Sequence, residues 1–327
     1  MVWRRALSTL IAIAIVWAVD WAASRFLNAY IYRVLVLCSI NVILALSLNL
    51  VNGITGQFSI GHAGFMAVGA YASAAYTVYA VPVWFGRAAE TGWPAAGAFL
   101  IAILVGGLVS AVAGFLVGLP SMRLRGDYLA IVTLGFGEII RVAILNIDAV
   151  GGARGFAGVP TRTNLAWVLG GAWLTYAVIR NLMRSFHGRA LLAIREDEIA
   201  AEALGVPTTR YKGTAFVIGA FFAGVAGALF SHYTYLHTNS FTFMKSIEVV
   251  IMVVLGGMGS LTGSILGATL LTALPELLRF ASAERLIIYS LLLIGLMIAR
   301  PPGILGRREV LLRPRRPGIK PDPTPAS

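Results

Sequence analysis

Long, uninterrupted apolar runs dominate this chain and limit the folds open to it. Crossing the hydrocarbon core of a bilayer takes about 20 helical residues, and runs of about this length recur from one end of the sequence to the other. Charged residues make up only 12% of the chain, about half the fraction that is usual in a soluble domain. The sequence therefore predicts an all-α polytopic membrane protein.

The apolar runs predict about ten membrane segments. They cover residues 6–19, 31–50, 66–80, 95–119, 128–146, 164–183, 213–235, 247–255, 261–280 and 284–299, and the run at 247–255 is short for a crossing. We interpret residues 1–30 as an N-terminal membrane helix and its connection, residues 31–300 as the transmembrane domain, and residues 301–327 as a basic, proline-rich tail.

Small residues recur at steps of four in the run at 95–119. Gly106, Ser110, Gly114 and Gly118 share one helix face, which lets a neighbouring backbone approach closely. We expect this face to be a packing surface.

The placement of basic residues predicts the orientation of the chain. Most of the 26 Lys and Arg residues fall in the N-terminus, the 120–127 loop, residues 180–212 and the tail. Because cytoplasmic loops carry the excess of positive charge, this side and both termini are predicted to be cytoplasmic. The net charge of +12 is then explained by anionic membrane lipid, and no nucleic-acid partner is needed. The single cysteine, Cys38, excludes an intrachain disulfide and argues against a Cys-based metal site.

One charge-rich segment, residues 187–212, lies between two apolar runs in the interior of the chain. Asp197 is a suitable N-cap for a short helix, Glu196 and Glu198 place negative charge at its start, and Gly205 followed by a proline two residues later ends it. A helix of about two turns is too short to be stable alone in water. It is either a helical turn in a solvated loop or a docking helix for another subunit, and the residues alone leave both open.

Two glycine-rich segments share a pattern. Residues 53–64 and 256–267 both read G-x-x-G-x-x-[ST]-x-x-x-x-G. Paired glycine-interrupted segments in the two halves of a transporter point to its pathway. Counting the crossings gives both segments the same orientation, so an inverted repeat would require a re-entrant segment, with 247–259 the first choice. Chance similarity between tightly packed small residues is the alternative.

Polar groups inside the apolar runs are candidates for a translocation pathway. Glu138 lies near the middle of the fifth run, where a carboxylate is expensive and by default functional. Arg141 follows three residues later, so a structural ion pair explains both residues equally well. The candidate pathway residues are Gly56, Gln57, Ser59, His62, Glu138, Glu248, Gly256, Gly257 and Gly259.

The sequence contains neither the Walker A pattern for nucleotide binding nor the HExxH pattern for zinc. We therefore predict no catalytic residue, no metal ligand and no cofactor in this chain.

Four stretches in order along the chain carry a family resemblance. Residues 46–70, 126–146 and 188–212, together with VVLGGMGSLTGSILGA at 253–268, resemble the permeases of bacterial branched-chain amino acid ABC transporters, of the LivM type. The resemblance covers residues 35–300.

The resemblance implies one half of an inner-membrane ABC importer permease, paired with a homologous permease subunit. Two cytoplasmic ATPase subunits would bind ATP and magnesium, and a periplasmic binding protein would deliver the solute. The family's coupling helix, which docks on the ATPase, transfers onto this chain by position. Its residues here are Arg195, Glu196, Asp197, Glu198, Ala201, Glu202, Leu204 and Gly205.

The substrate class is the most open part of the resemblance. The family's usual solutes are leucine, isoleucine and valine, and related permeases carry urea, amides or other small acids. An ion-coupled secondary transporter is the competing class, but it predicts further intramembrane carboxylates besides Glu138. An integral-membrane enzyme would need a convergent set of titratable groups, which the sequence does not present.

Overall fold

The computed structural model describes residues 17, 19–86, 92–122, 124, 126–278 and 285–306. These residues form helices joined by short loops, as the sequence predicts. The helices are α1 (Ala29–Asn49), α2 (His62–Ala75), α3 (Val81–Phe85), α4 (Gly92–Ser121), α5 (Asp127–Leu145), α6 (Leu165–Arg184), α7 (Phe186–Glu196), α8 (Glu198–Ala203), α9 (Thr208–Ser231), α10 (Phe243–Gly256), α11 (Leu261–Leu277) and α12 (Arg285–Ala299).

Within the described residues, 5 helical stretches are long and apolar enough to cross a membrane. They are Ala29–Ile54, His62–Trp84, Gly92–Ser121, Asp127–Leu145 and Thr208–Ser231, and Leu261–Leu277 is a shorter apolar helix. The all-helical membrane fold is therefore confirmed, while the total of about ten segments stays a prediction. Apart from residues 17 and 19, the first predicted segment lies outside the described residues, as does the tail beyond residue 306.

Three helix boundaries differ from the predicted ones. A π-helical turn at Tyr76–Ala80 joins α2 to α3, so the helical stretch continues past residue 80, where the third apolar run was predicted to end. Pro82 stands in the first turn of α3, where a missing N–H costs nothing. Helix α9 begins at Thr208, inside the segment expected to be a loop, and α7 occupies the first part of that segment. Ser185 caps α7 by accepting from the Gly188 N–H.

The centre of the bundle is a close crossing of α2, α4 and α9. A Cβ on Gly69 would overlap the backbone of Gly224, and one on Gly106 would lie 2.7 Å from the Gly69 carbonyl. The Ser110 hydroxyl lies 2.7 Å from the Ala220 carbonyl and 2.9 Å from the Phe65 carbonyl. The part of the predicted small-residue face at Gly106 and Ser110 therefore packs against backbone, as expected.

Two helices begin inside the bundle instead of at its ends. Ser246, in the first turn of α10, accepts from the Ala63 N–H in the first turn of α2 at 3.0 Å. Before α2, the non-helical residues 56–61 need partners for their backbone groups, because lipid offers none. The Thr133 hydroxyl accepts from the Ile60 N–H at 3.1 Å, and the Asn52 amide exchanges two hydrogen bonds with the backbone of Ser59.

The two glycine-rich segments lie side by side at one end of the bundle. Helices α1 and α10 run toward that end in the same direction, because Asn41 lies beside Lys245 at the start of α10 and Asn49 beside Gly259 just past its end. The segments are therefore not related by inversion, and residues 247–259 do not form a re-entrant hairpin. The backbone that turns back into the bundle is instead 55–61, where the Asn52 side chain replaces the missing helical partners.

Candidate functional site

A short helix with a cap at each end, α8, lies at the same end of the bundle as the two glycine-rich segments. Asp197 has extended backbone angles, and its carboxylate accepts from the N–H groups of Ile199 at 2.9 Å and Ala200 at 3.0 Å. The expected N-cap is therefore present, and its negative charge also suits the positive end of the helix.

The end of α8 is a Schellman motif. The Gly205 N–H donates to the Glu202 carbonyl at 2.9 Å, and the Val206 N–H donates to the Ala201 carbonyl at 3.0 Å. Gly205 has a φ of 81°, which glycine adopts without a steric penalty. The predicted stop at Gly205 therefore has its expected geometry.

Helix α9 holds α8 in place from one side. Lys212 forms an ion pair with Glu198, and only 7% of the Lys212 side chain is exposed. The Thr208 hydroxyl donates to the Glu202 carboxylate at 2.6 Å. These contacts explain how a helix of 6 residues, too short to stand alone, is ordered within a single chain.

The opposite side of α8 presents apolar side chains to the exterior. Leu204 is 85% exposed and Ile199 is 68% exposed, whereas Ala201 is buried against the bundle. An anchored helix with outward apolar residues is the form in which helices enter hydrophobic grooves of partner proteins.

Arg195, in the last turn of α7, points away from this exterior side and into the bundle. Its Nη1 donates to the Gly53 carbonyl at 3.3 Å, while its Nε and Nη2 donate to the Glu196 carboxylate at 3.2 and 2.6 Å. Gly56 and Gly259 flank the same side chain, with φ values of 73° and 88°. Arg195 therefore touches the equivalent glycine of both glycine-rich segments.

The other candidate residues of the two segments are mostly buried. Gln57, Ser59 and His62 are each at most 5% exposed, and a His62 ring nitrogen lies 2.8 Å from the Ser47 hydroxyl. Gly256 and Gly257 pack against Gly263 and the chain at Gly303–Gly306, respectively. The described structure thus brings Gly56 and Gly259 together but places His62 deeper, beside the start of α10.

Glu138 lies on α5 next to the start of α10. Its carboxylate accepts from Arg141 Nε at 2.7 Å and from the Phe243 N–H at 3.2 Å. The ion pair proposed as an alternative role is therefore formed. The same carboxylate also caps the first turn of α10, a contact that the sequence did not suggest.

Glu248 belongs to a second charged pair on α10. Lys245 Nζ lies 3.1 Å from the Glu248 carboxylate and donates to Asn41 Oδ1 at 3.1 Å. The Asn41 amide in turn donates to the Thr272 hydroxyl at 2.8 Å. This network joins α1, α10 and α11 at the level where α10 begins.

Sequence reasoning missed four polar residues that organise these sites. Asn41 and Asn49 are the two amides of the second apolar run, and an intramembrane amide is a usable signal because it needs a partner in lipid. Lys245 and Lys212 flank apolar runs and read as ordinary boundary charges. Within the described residues, no cluster of His, Cys, Asp and Glu could hold a metal ion.

The comparisons with known proteins bear on the whole helical region. Residues 30–300 match the family model described as the permease component of the branched-chain amino acid transport system. The chain belongs to this family. It is a membrane permease subunit of that kind and not an enzyme.

Several curated permeases resemble the chain over most of its length. It is 40% identical over 302 residues to the high-affinity branched-chain amino acid transport system permease protein LivM of Salmonella typhimurium, an alignment that covers 81% of this chain and 68% of the relative. It is 39% identical over 305 residues to the LivM protein of Escherichia coli, with 82% and 68% covered. The LivH permease protein of Escherichia coli is 28% identical over 289 residues, with 82% and 92% covered. No solved structure matches the chain.

Family membership and the apolar helices make the chain a multi-pass protein of the inner membrane. Family membership also decides against the competing class, an ion-coupled secondary transporter, because this family consists of transport-system permease components. The charge-bearing helices α5 and α10 and the anchored helix α8 are thus parts of a transport subunit.

Proposed function

We propose that this chain is one half of the permease of an ATP-driven importer for branched-chain amino acids, and that α8 is its docking helix for a cytoplasmic ATPase. The exposed apolar face of α8, held on a rigid base, is the observation that carries this proposal. Leu204 and Ile199 project from a helix whose cap, stop and base are all satisfied within the chain. In the described structure, the exposed apolar side chains of α8 lie on its outward side.

The proposal assigns the side of α8 to the cytoplasm, together with both termini. The excess of basic residues in the segments that flank α8 supports this orientation. ATP and magnesium are bound by the partner ATPase, since this chain carries no nucleotide motif. The remaining partners are a homologous permease subunit and a periplasmic binding protein.

The pathway is assigned to the face formed by α5 and α10. Glu138 and Glu248 are 37% and 39% exposed in the single chain, each beside a basic partner. Because charged side chains avoid hydrocarbon, this face is expected to meet water or protein. We assign it to the junction with the second permease subunit, where the solute passes.

The substrate assignment rests on the relatives. The LivM and LivH proteins named above are described as components of high-affinity branched-chain amino acid transport. Leucine, isoleucine and valine are therefore the proposed solutes. The test is to reconstitute the two permease subunits and two ATPase subunits together with the binding protein. Only leucine, isoleucine and valine are expected to stimulate ATP hydrolysis.

The docking role of α8 is tested most directly at Gly205. A Cβ at this position meets no other atom within 4 Å, so the fold has room for a side chain. We expect Gly205→Arg to reduce co-purification of the ATPase by about 10- to 30-fold, the loss typical of a disrupted interface centre. The membrane fold, measured by size-exclusion profile and melting temperature, is expected to change little.

Gly205→Ala is the matched control. It carries the same backbone strain of about 1–2 kcal/mol without the bulk of arginine, and we expect it to retain the ATPase. Leu204→Asp gives an independent variant that removes the exposed apolar contact. Normal ATPase recovery with both Gly205→Arg and Leu204→Asp would refute the docking assignment.

A further inference from the structure

Arg195 occupies a pocket made of glycines, which we call the glycine pocket: Gly53, Gly56 and Gly259. A Cβ on Gly56 would lie 3.1 Å from Arg195 Cγ, and a Cβ on Gly259 would lie 2.8 Å from Arg195 Nη1. Both glycines have positive φ values, which side-chain-bearing residues rarely adopt. The backbone at both positions is therefore shaped so that the arginine can lie against it.

The orientation of the guanidinium is fixed from two sides. Glu196 accepts from Nε and Nη2, which leaves Nη1 directed at the Gly53 carbonyl. Three donors of a planar guanidinium, two on one carboxylate oxygen and one on a carbonyl, fix its direction better than a single ammonium group would. Only 21% of the Arg195 side chain is exposed. Arg195 thus belongs to the interior contact and not to the outward face of α8.

The two glycine-rich segments are also tied to each other. The Asn49 amide accepts from the Gly259 N–H at 2.8 Å and donates to the Ser260 carbonyl at 3.1 Å. The glycine pocket therefore joins the end of α1 to the turn between α10 and α11. Any displacement of Arg195 acts on both segments at once.

A single residue separates Arg195's helix from α8. Helix α7 ends at Glu196, α8 begins at Glu198, and Asp197 between them caps α8. A shift of α8 is therefore carried to Arg195 over a very short length of chain. No flexible linker lies between the proposed docking helix and the glycine pocket.

From this geometry we infer that Arg195 is a positioning residue that transmits movement of α8 to both glycine-rich segments, and so couples ATP hydrolysis to opening of the pathway. The inference rests on the proposed docking role of α8. It goes beyond that role because it names the contact through which docking acts on the helices α1 and α10. Arg195 itself is assigned no contact with the ATPase or the solute.

The test uses the complete complex in nanodiscs and proteoliposomes, with Arg195→Met as the main variant. Methionine keeps an unbranched apolar stem but removes all five donors of the guanidinium. We expect the ATPase to co-purify with the variant, while solute taken up per ATP hydrolysed falls about tenfold, within the usual range of coupling between sites. Arg195→Lys is expected to restore part of the ratio, because its ammonium can still reach the Gly53 carbonyl.

Arg189→Met is the matched control on the same helix. Arg189 is exposed and its guanidinium stacks over the Phe186 ring at 5.8 Å, so the substitution removes the same charge from α7 without emptying the glycine pocket. We expect the wild-type ratio of uptake to hydrolysis in this variant.

A thiol label reports movement of the second glycine-rich segment directly. Met258, between Gly257 and Gly259, is 47% exposed, and the one native cysteine, Cys38, is buried and can be replaced by alanine. In Met258→Cys we expect the labelling rate to differ about fivefold between the nucleotide-free and vanadate-trapped states. Adding Arg195→Met is expected to abolish that difference.

Two results would overturn the inference without removing the proposed docking of the ATPase. The first is a wild-type coupling ratio and nucleotide-dependent labelling in Arg195→Met. The second is loss of the ATPase from Arg195→Met but not from Arg189→Met, which would place Arg195 on the docking surface. If the unmodified complex itself fails to retain the ATPase, both proposals fall together.

Discussion

Glu138 shows how an acidic residue is accommodated in an otherwise apolar helix. Its two oxygens serve different partners, Arg141 on the same helix and the Phe243 N–H of α10. The carboxylate therefore neutralises a neighbouring cation and caps a helix that begins inside the bundle. Removing its charge leaves the guanidinium without compensation.

We expect Glu138→Gln to lower the thermal midpoint of the purified protein. The amide can still accept from the Phe243 N–H, so the change isolates the charge, and leaving the partly buried Arg141 without its ionic partner costs about 1 kcal/mol. Glu138→Gln/Arg141→Gln is expected to recover more than half of the loss, because both charges are then gone. A double variant no more stable than the single one would show that the ion pair does not account for the effect.

At the scale of single elements, the crossing of α2, α4 and α9 depends on the absence of side chains. Gly224 faces both Gly106 and Gly69, and a Cβ on it would lie within 2.6 Å of the Gly106 carbonyl oxygen. Backbone cannot yield as the end of a flexible side chain can, so the helices would have to separate along their length.

Gly224→Ala is therefore expected to reduce the yield of folded protein sharply and to lower its thermal midpoint, as overpacking by even one methyl group costs about 1–3 kcal/mol. Gly97→Ala serves as the control. Gly97 lies on α4, is exposed, and a Cβ there meets no atom within 4 Å, so its variant is expected to behave like the wild type. Equal behaviour of the two variants would contradict the close crossing.

Elements with local signals were predictable, whereas those stabilised from a distance were not. The cap at Asp197, the stop at Gly205 and the four-residue steps on α4 are all encoded within a few neighbouring residues. The start of α2 inside the bundle depends on Thr133 and Ser246, which lie 73 and 183 residues from their partners. The start of α10 depends on Glu138, which lies 105 residues from its partner. Hydropathy averages over a window and cannot register such contacts.

The candidate site also contains some features with local sequence signals and others that only the fold brings together. The charge-rich segment revealed α8, because its cap residues and acidic start are adjacent in sequence. The pocket for Arg195 could not be predicted, since the two glycine-rich segments are far apart in the chain and only the fold lays them side by side. The shared spacing pattern identified the right glycines but not their common neighbour.

At the scale of the whole molecule, two exterior faces differ in chemistry. Helix α4 presents a continuous apolar row, in which Leu104, Leu108 and Val112 are 45–59% exposed. The exposed parts of α5 and α10 carry the charged side chains Glu138 and Glu248 beside their basic partners. The first face suits contact with lipid, and the second suits contact with protein or water.

This difference predicts the reactivity of two introduced thiols in a background without Cys38. Met244, at the start of α10, is 69% exposed in the single chain, and Leu108 is 59% exposed. In the complete complex we expect Met244→Cys to react with a water-soluble maleimide in at least one nucleotide state, and Leu108→Cys to stay unreactive. Protection of both thiols in every state would remove α10 from the pathway.

The non-helical residues 56–61 also constrain the order in which the protein can enter the bilayer during its synthesis. Within the described residues, the Ile60 N–H donates to the Thr133 hydroxyl, and an unsatisfied backbone group in hydrocarbon costs several kcal/mol. When α1 and α2 leave the ribosome, α5 has yet to be translated. We therefore expect α1 and α2 to remain beside the insertion machinery until α5 arrives, so that they enter lipid as one group of helices.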